Sequence, residues 1–237
     1  MILWFRNNLS NLLTCLNLAC GVLSIFLLST QGTIAIGQVE ILILVAGIAD
    51  FFDGFVARLL GSTSKIGKDL DSLADSVTFG VLPSLVVFLF LRERFMHNEQ
   101  NENFALVAIL ISIFSSVRLA IFNNDTRQTD SFIGVPTPAN TFFIVFLIGS
   151  FHRGDFLFLE NAYFISAIAL ISSAWLVAPI PLIALKFKNY DLKANLLRYT
   201  LLLSGLVFLI FLGLSAIPSI FLVYLAVSFL NNILSKQ

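Results

Sequence analysis

Residues 50–75 read DFFDGFVARLLGSTSKIGKDLDSLAD, and four aspartates in this apolar setting decide how the rest of the chain is read. Asp50, Asp53, Gly54, Ala57 and Arg58 stand three and four residues apart, which puts them on one face of a helix. Gly67, Asp71 and Asp75 recur every four residues and share a face of the next helix. The short connection 61–66 makes these helices antiparallel neighbours. Asp53 is seven residues from Leu60, about 10 Å of helix, so four carboxylates can converge in one half of a membrane. A charged side chain there is costly and marks function by default.

The surrounding chain supports the membrane reading. Of 237 residues, 58% are hydrophobic and only 12% charged, against about 25% charged in a soluble domain, and the mean hydropathy is +0.93. Net charge is zero, which gives no reason to expect a nucleic-acid partner. Apolar runs predict an all-α integral membrane protein of about eight transmembrane helices, near 11–30, 39–60, 70–92, 103–122, 137–151, 161–185, 196–214 and 216–234. The whole chain, 1–237, reads as one membrane-embedded catalytic domain, its core about 10–186 with extra C-terminal helices about 196–234. The N-terminus lacks the features of a signal peptide. Cys15 and Cys20, five apart in an apolar run, read as membrane-embedded thiols rather than a disulfide or zinc site.

Basic residues set the orientation. With the N-terminus in the cytoplasm, that side carries Arg6, Arg58, Lys65, Lys68, Arg118, Arg127, Lys186, Lys188, Lys193, Arg198 and Lys236, and the other side only Arg92, Arg94 and Arg153. The aspartates then face the cytoplasm. His97 and His152 fall on the far side, away from them. Lys186, Lys188, Lys193 and Arg198 read as a topology determinant touching anionic lipid heads.

Four carboxylates repel one another unless cations intervene, and Arg58 with nearby lysines is a poor match for four acids. Hard divalent cations with oxygen ligands solve the problem better. Two such ions suit phosphoryl or phosphatidyl transfer. Gly54 and Gly67 leave room for a nucleotide near the helix surface, and Arg58 can bind a phosphate. Asp69 points off the Asp71/Asp75 face and reads as a helix N-terminal charge.

The pattern Asp-x-x-Asp-Gly-x-x-Ala-Arg, eight residues, Gly-x-x-x-Asp-x-x-x-Asp resembles the signature of the CDP-alcohol phosphotransferase family, with every fixed position filled. The resemblance implies a six-helix membrane core, usually homodimeric, with the nucleotide between helices at the cytoplasmic side. It implies that Asp50, Asp53 and Asp71 ligate two Mg²⁺ or Mn²⁺ ions. Asp75 would be the general base, and is counted among the metal-contacting carboxylates. Gly54, Ala57, Arg58 and Gly67 would line the CDP site.

Two further segments bear on the acceptor. In SNLLTCLNLACGV, 10–22, Asn11, Thr14, Asn17 and Gly21 fall near one face, which by itself reads as a packing stripe. RLAIFN, 118–123, precedes FIGVPTPAN, 132–140. Thr137-Pro138 reads by itself as an N-cap and first-turn proline. Together these segments are similar to phosphatidylserine synthases of the bacterial and archaeal membrane type, with Ser10 where proline is usual and Val135 for a common leucine. Neither departure touches the expected chemistry.

That resemblance implies CDP-diacylglycerol and L-serine as substrates, in the cell's inner membrane and among its lipids. It makes Arg118, Asn123, Thr137 and Asn140 candidates for the serine site, although Arg118 alone also reads as an interfacial anchor. A sister transferase using glycerol 3-phosphate or inositol phosphate is the nearest alternative, but 123–140 offers only Arg127 as an added cation. A cation transporter would spread its acids along a pore rather than cluster them.

Overall fold

A computed structural model describes residues 2–61, 65–95, 99–124, 132–183, 191 and 195–234. Nine α-helices run through it: α1 (Ile2–Gln31), α2 (Ile36–Leu60), α3 (Lys65–Asp75), α4 (Leu82–Phe95), α5 (Ile109–Asn124), α6 (Thr137–His152), α7 (Ala162–Val177), α8 (Leu196–Leu212) and α9 (Ala216–Leu234). The protein is therefore an all-α membrane protein. Four helical stretches are long and apolar enough to cross a bilayer: 8–60, 66–95, 103–124 and 196–233. The first and last contain short 3₁₀ turns, Gly32–Ala35 and Gly213–Ser215, that separate paired helices. The short α6 is largely buried, whereas α7 keeps Tyr163, Phe164, Leu170 and Ile171 exposed.

The core is aliphatic and aromatic. Phe79, Phe90, Phe146, Ile43, Leu82 and Ile111 are fully enclosed. Large apolar side chains such as Phe26, Ile48, Phe51, Ile210 and Phe211 face outward, as a protein solvated by hydrocarbon requires. Cys15 is exposed, Cys20 is buried, and both are free.

Three local departures from the sequence reading matter for the site. First, α3 continues into α4 through a π-helical turn, Ser76–Val81, directly after Asp75. Wide turns of this kind recur at functional sites. Asp75 before the turn and Thr78 within it both reach Asn17 of α1. The hydroxyl of Thr141 donates to the Phe79 carbonyl at 2.9 Å, a group that Pro83, four residues on, has no N–H to satisfy.

Second, α7 ends at Val177, not near residue 185. Pro179 and Pro181 cannot continue a helix. The chain extends instead, and Phe132–Ile133 pairs antiparallel with Pro181–Leu182. Gly134 donates its backbone N–H to the Ile180 carbonyl and Val135 to that of Trp175. Gly134 has φ +81°, and a Cβ there would lie 2.8 Å from the Leu176 carbonyl oxygen, so only glycine fits.

Third, α6 begins at Thr137, with the extended Pro136 as its N-cap and no side-chain cap. Thr137 is thus the first helical residue rather than the cap. Pro136 has φ −62° and ψ 140°, fixed by its ring, and helical geometry starts only after it. Asp69 differs in the same sense. α3 begins at Lys65, its first turn holds no acid, and Asp69 sits exposed one turn in.

Candidate active site

α2 and α3 do not pack closely on each other as the short connection suggested; both pack on α1, and there they bring three carboxylates together. One oxygen from each of Asp50, Asp53 and Asp71 lies within 4.8 Å of the others. Asp53 is 5% exposed and Asp75 8%. Asp75, one turn beyond Asp71, lines the same cavity as Asp50 and Asp71. Oδ1 of Asp71 is buried without a hydrogen-bond partner. Among the described residues, no lysine or arginine forms an ion pair with any of the four.

This donor set fits a hard divalent cation. It supplies carboxylate oxygens only, close enough to share an ion, and one oxygen has no other use in the protein.

The residues read as a nucleotide site lie on the flank of this cluster. Gly54, Ala57 and Gly67 are half-buried, and Arg58 is exposed. The Arg58 guanidinium folds back along α2, with its Nη1 3.4 Å from where a Cβ on Gly54 would be. A bare, cation-flanked helix surface of this kind can admit a phosphate closely.

A cavity of ≈ 280 Å³ opens beside the acids. Asp50, Asp71, Asp75, Arg118, Asn123 and Thr137 all line it. Arg118 is buried at 4% exposure, its guanidinium 5.2 Å from the Phe122 ring centre. Asn123 donates from Nδ2 to the Ser72 hydroxyl at 2.7 Å, and its backbone carbonyl accepts from Lys68 at 3.1 Å. The fourth candidate, Asn140, is fully buried away from this lining. Its Oδ1 accepts from the Trp175 indole at 2.8 Å, so its visible partner belongs to the packing of α6 against α7.

The polar stripe on α1 does more than pack. Ser10 donates to the backbone carbonyl of Asp53 at 3.0 Å. The Thr14 hydroxyl lies 2.6 Å from Asp53 Oδ2. Asn17 Nδ2 donates to Asp75 Oδ1 at 3.1 Å. The position where Ser10 departs from the usual proline therefore does reach an aspartate of the site. The available signal was the spacing 10, 14, 17, 21, which is a single helical face.

Other expectations find simple places. His152 packs its ring near Phe90 and Phe151. His97, Arg127, Lys186, Lys188, Lys193 and Lys236 lie outside the described residues.

This carboxylate constellation agrees with what the chain as a whole resembles. Residues 7–180 match the sequence model of the CDP-alcohol phosphatidyltransferases, and the chain belongs to that family. Among curated proteins it is similar to the CDP-diacylglycerol–serine O-phosphatidyltransferase of Helicobacter pylori, 38% identical over 140 residues, covering 58% of this chain and 56% of that protein. The enzyme of the same name from Methanocaldococcus jannaschii is 31% identical over 186 residues, 78% of this chain and 76% of its own. The one from Bacillus subtilis is 34% identical over 132 residues, 56% and 70%. The matched stretch thus spans little more than half the length of the Helicobacter relative.

Proposed function

We propose that the chain transfers the phosphatidyl group of CDP-diacylglycerol to the hydroxyl of L-serine, giving phosphatidylserine and CMP. The observation that carries this reading is the convergence of Asp50, Asp53 and Asp71 within 4.8 Å, beside a cavity that the buried Arg118 also lines. The printed name of the curated relatives supplies the acceptor.

Mg²⁺ or Mn²⁺, two ions held by Asp50, Asp53 and Asp71 with Asp75 alongside, would neutralise the phosphate oxygens and the leaving CMP. The chain's own residues do the rest. Gly54, Ala57, Arg58 and Gly67 seat the CDP portion. Arg118 meets the serine carboxylate, with Asn123 and Thr137 orienting the acceptor and Asn140 supporting that lining through Trp175. Asp75 accepts the hydroxyl proton as the serine oxygen attacks phosphorus. The new P–O bond forms as the bond to CMP breaks, and CMP departs with the electron pair. No protein nucleophile is needed, so the reaction is sequential, with inversion at phosphorus.

The same reading treats residues 1–237 as one catalytic unit in the cell's inner membrane, its acids on the cytoplasmic side, working as a homodimer among membrane lipids. The acceptor is tested by offering purified protein CDP-diacylglycerol with serine, glycerol 3-phosphate or inositol phosphate, and following CMP release. Serine is expected to be preferred by at least about tenfold in kcat/KM, the scale on which one site-built polar contact discriminates. A preference for a phosphorylated acceptor would replace serine while leaving the aspartate chemistry intact.

A further inference from the structure

Helix α1 approaches the site with the polar side chains Ser10, Thr14 and Asn17. We infer that Thr14 and Asn17 are positioning residues with separate tasks: Thr14 fixes Asp53 for cation binding, and Asn17 fixes Asp75 for turnover. The inference deepens the reading above and rests on it for the roles of the two aspartates.

Geometry carries the first half. The Thr14 hydroxyl has one proton and two acceptors within reach, the Ser10 carbonyl at 3.1 Å and Asp53 Oδ2 at 2.6 Å. The shorter separation lies in the range of an O–H···O⁻ bond, about 2.5–2.7 Å, so the proton belongs to the carboxylate. Ser10 holds the backbone carbonyl of the same aspartate. Asp53 is thus gripped at both main chain and side chain from one face of α1. That leaves its carboxylate one orientation toward Asp50 and Asp71.

Asn17 carries the second half. It is fully buried, and its backbone carbonyl accepts from Thr78 at 3.2 Å. That contact is possible because Gly21 has no side chain: a Cβ there would lie 2.3 Å from the Thr78 hydroxyl. The Asn17 amide then donates to Asp75 Oδ1, while its own Oδ1 is buried with no partner. An asparagine kept only for packing would satisfy both ends, because an unmade buried acceptor is destabilising. Here the donor end alone is used, and it is used on the proposed base. A group held in this way restricts the base to a productive rotamer.

The test separates the two tasks with a readout that needs no substrate. Mn²⁺ binding is followed by the electron paramagnetic resonance of the free ion, and kcat and KM are measured at saturating Mn²⁺. Thr14→Val should weaken Mn²⁺ binding by about 10-fold or more, as loss of a ligand-orienting partner does, while saturating Mn²⁺ restores kcat to within about twofold. Thr14→Ser, which keeps the hydroxyl, should bind Mn²⁺ like the wild type. Asn17→Leu should bind Mn²⁺ normally and lose about 10- to 100-fold in kcat, with KM for the CDP-lipid unchanged. Asn17→Gln repeats the test with an amide retained should the leucine variant fail to fold, and should recover part of the lost kcat. Equal weakening of Mn²⁺ binding by Thr14→Val and Asn17→Leu overturns the division of tasks. So does a Thr14→Ser variant as impaired as Thr14→Val. A wild type that binds Mn²⁺ yet makes no phosphatidylserine contradicts the serine reading and leaves the Thr14 result standing.

Discussion

Helix α2 carries buried carboxylates at both ends, and the protein treats them in opposite ways. Near its start, Glu40 is 2% exposed and meets Arg153, whose Nη1 lies 2.9 and 2.7 Å from its two oxygens. Arg153 is further bound to the hydroxyls of Ser215 and Ser150, and Ser215 donates to Asp155. Ten residues on, about 15 Å along the helix, Asp50 begins a cluster that, among the described residues, forms no ion pair with a lysine or arginine. One end shows a carboxylate whose countercharge is built into the fold. The other shows carboxylates crowded together, for which we propose a bound cation as countercharge. The difference separates a structural network, which joins α2 and α6 to the C-terminal helices, from a candidate cation site.

Substitutions at the two ends should therefore fail in different currencies. The largest effect is expected at the aspartates. Asp50→Asn, Asp53→Asn or Asp71→Asn should each lower CMP release by on the order of 10³-fold, the scale on which loss of a built-in electrostatic group is felt. Their folded state should survive, since neutralising one of several crowded acids relieves repulsion. An Asp71→Asn enzyme within tenfold of wild type would break the comparison.

At the other end the sign reverses. Glu40→Gln strands Arg153 and should destabilise the protein by about 2–3 kcal/mol, below the roughly 3–5 for a fully buried pair because Arg153 remains about one-third exposed. Its turnover per folded molecule should be unchanged. Replacing both partners together, Glu40→Leu with Arg153→Met, should recover most of that loss. Denaturant unfolding in detergent measures both. A Glu40→Gln protein of full stability but low activity would move the network into the catalytic machinery.

What could be read from the sequence follows the same divide. The aspartates were legible because carboxylates spaced three and four apart in an apolar run have few alternative explanations. The polar stripe of α1 was legible as a face but not as a task, because small and polar residues pack helices equally well. Thr14 and Asn17 acquired a role only when their partners, 39 and 58 residues away, were in place. The π turn leaves no mark in Ser76–Val81, whose composition suits any buried helix. The early end of α7 was signalled by Pro179 and Pro181, yet hydropathy alone ran past them. Asn140 looked like a site residue beside Thr137, and its bond to Trp175, 35 residues on, is invisible to local spacing. Glu40 and Arg153 stand 113 residues apart, so neither announced the other.

The smallest effect is expected at Arg118, for which we propose a role in binding rather than chemistry. Arg118→Ala should raise KM for serine by about 10-fold or more, since a hydrogen bond to a charged group contributes roughly 1.5–3 kcal/mol, and change kcat little. An unchanged KM for serine would remove Arg118 from the acceptor site and sharpen the contrast to the acids alone.

The central claim is that the acid end is completed by a divalent cation and used for phosphatidyl transfer. It is tested most directly by following CMP release from CDP-diacylglycerol and serine with the purified protein, before and after EDTA. The account predicts CMP and phosphatidylserine formed one for one, loss of both in EDTA, and recovery with Mg²⁺ or Mn²⁺. Undiminished turnover in EDTA would contradict it.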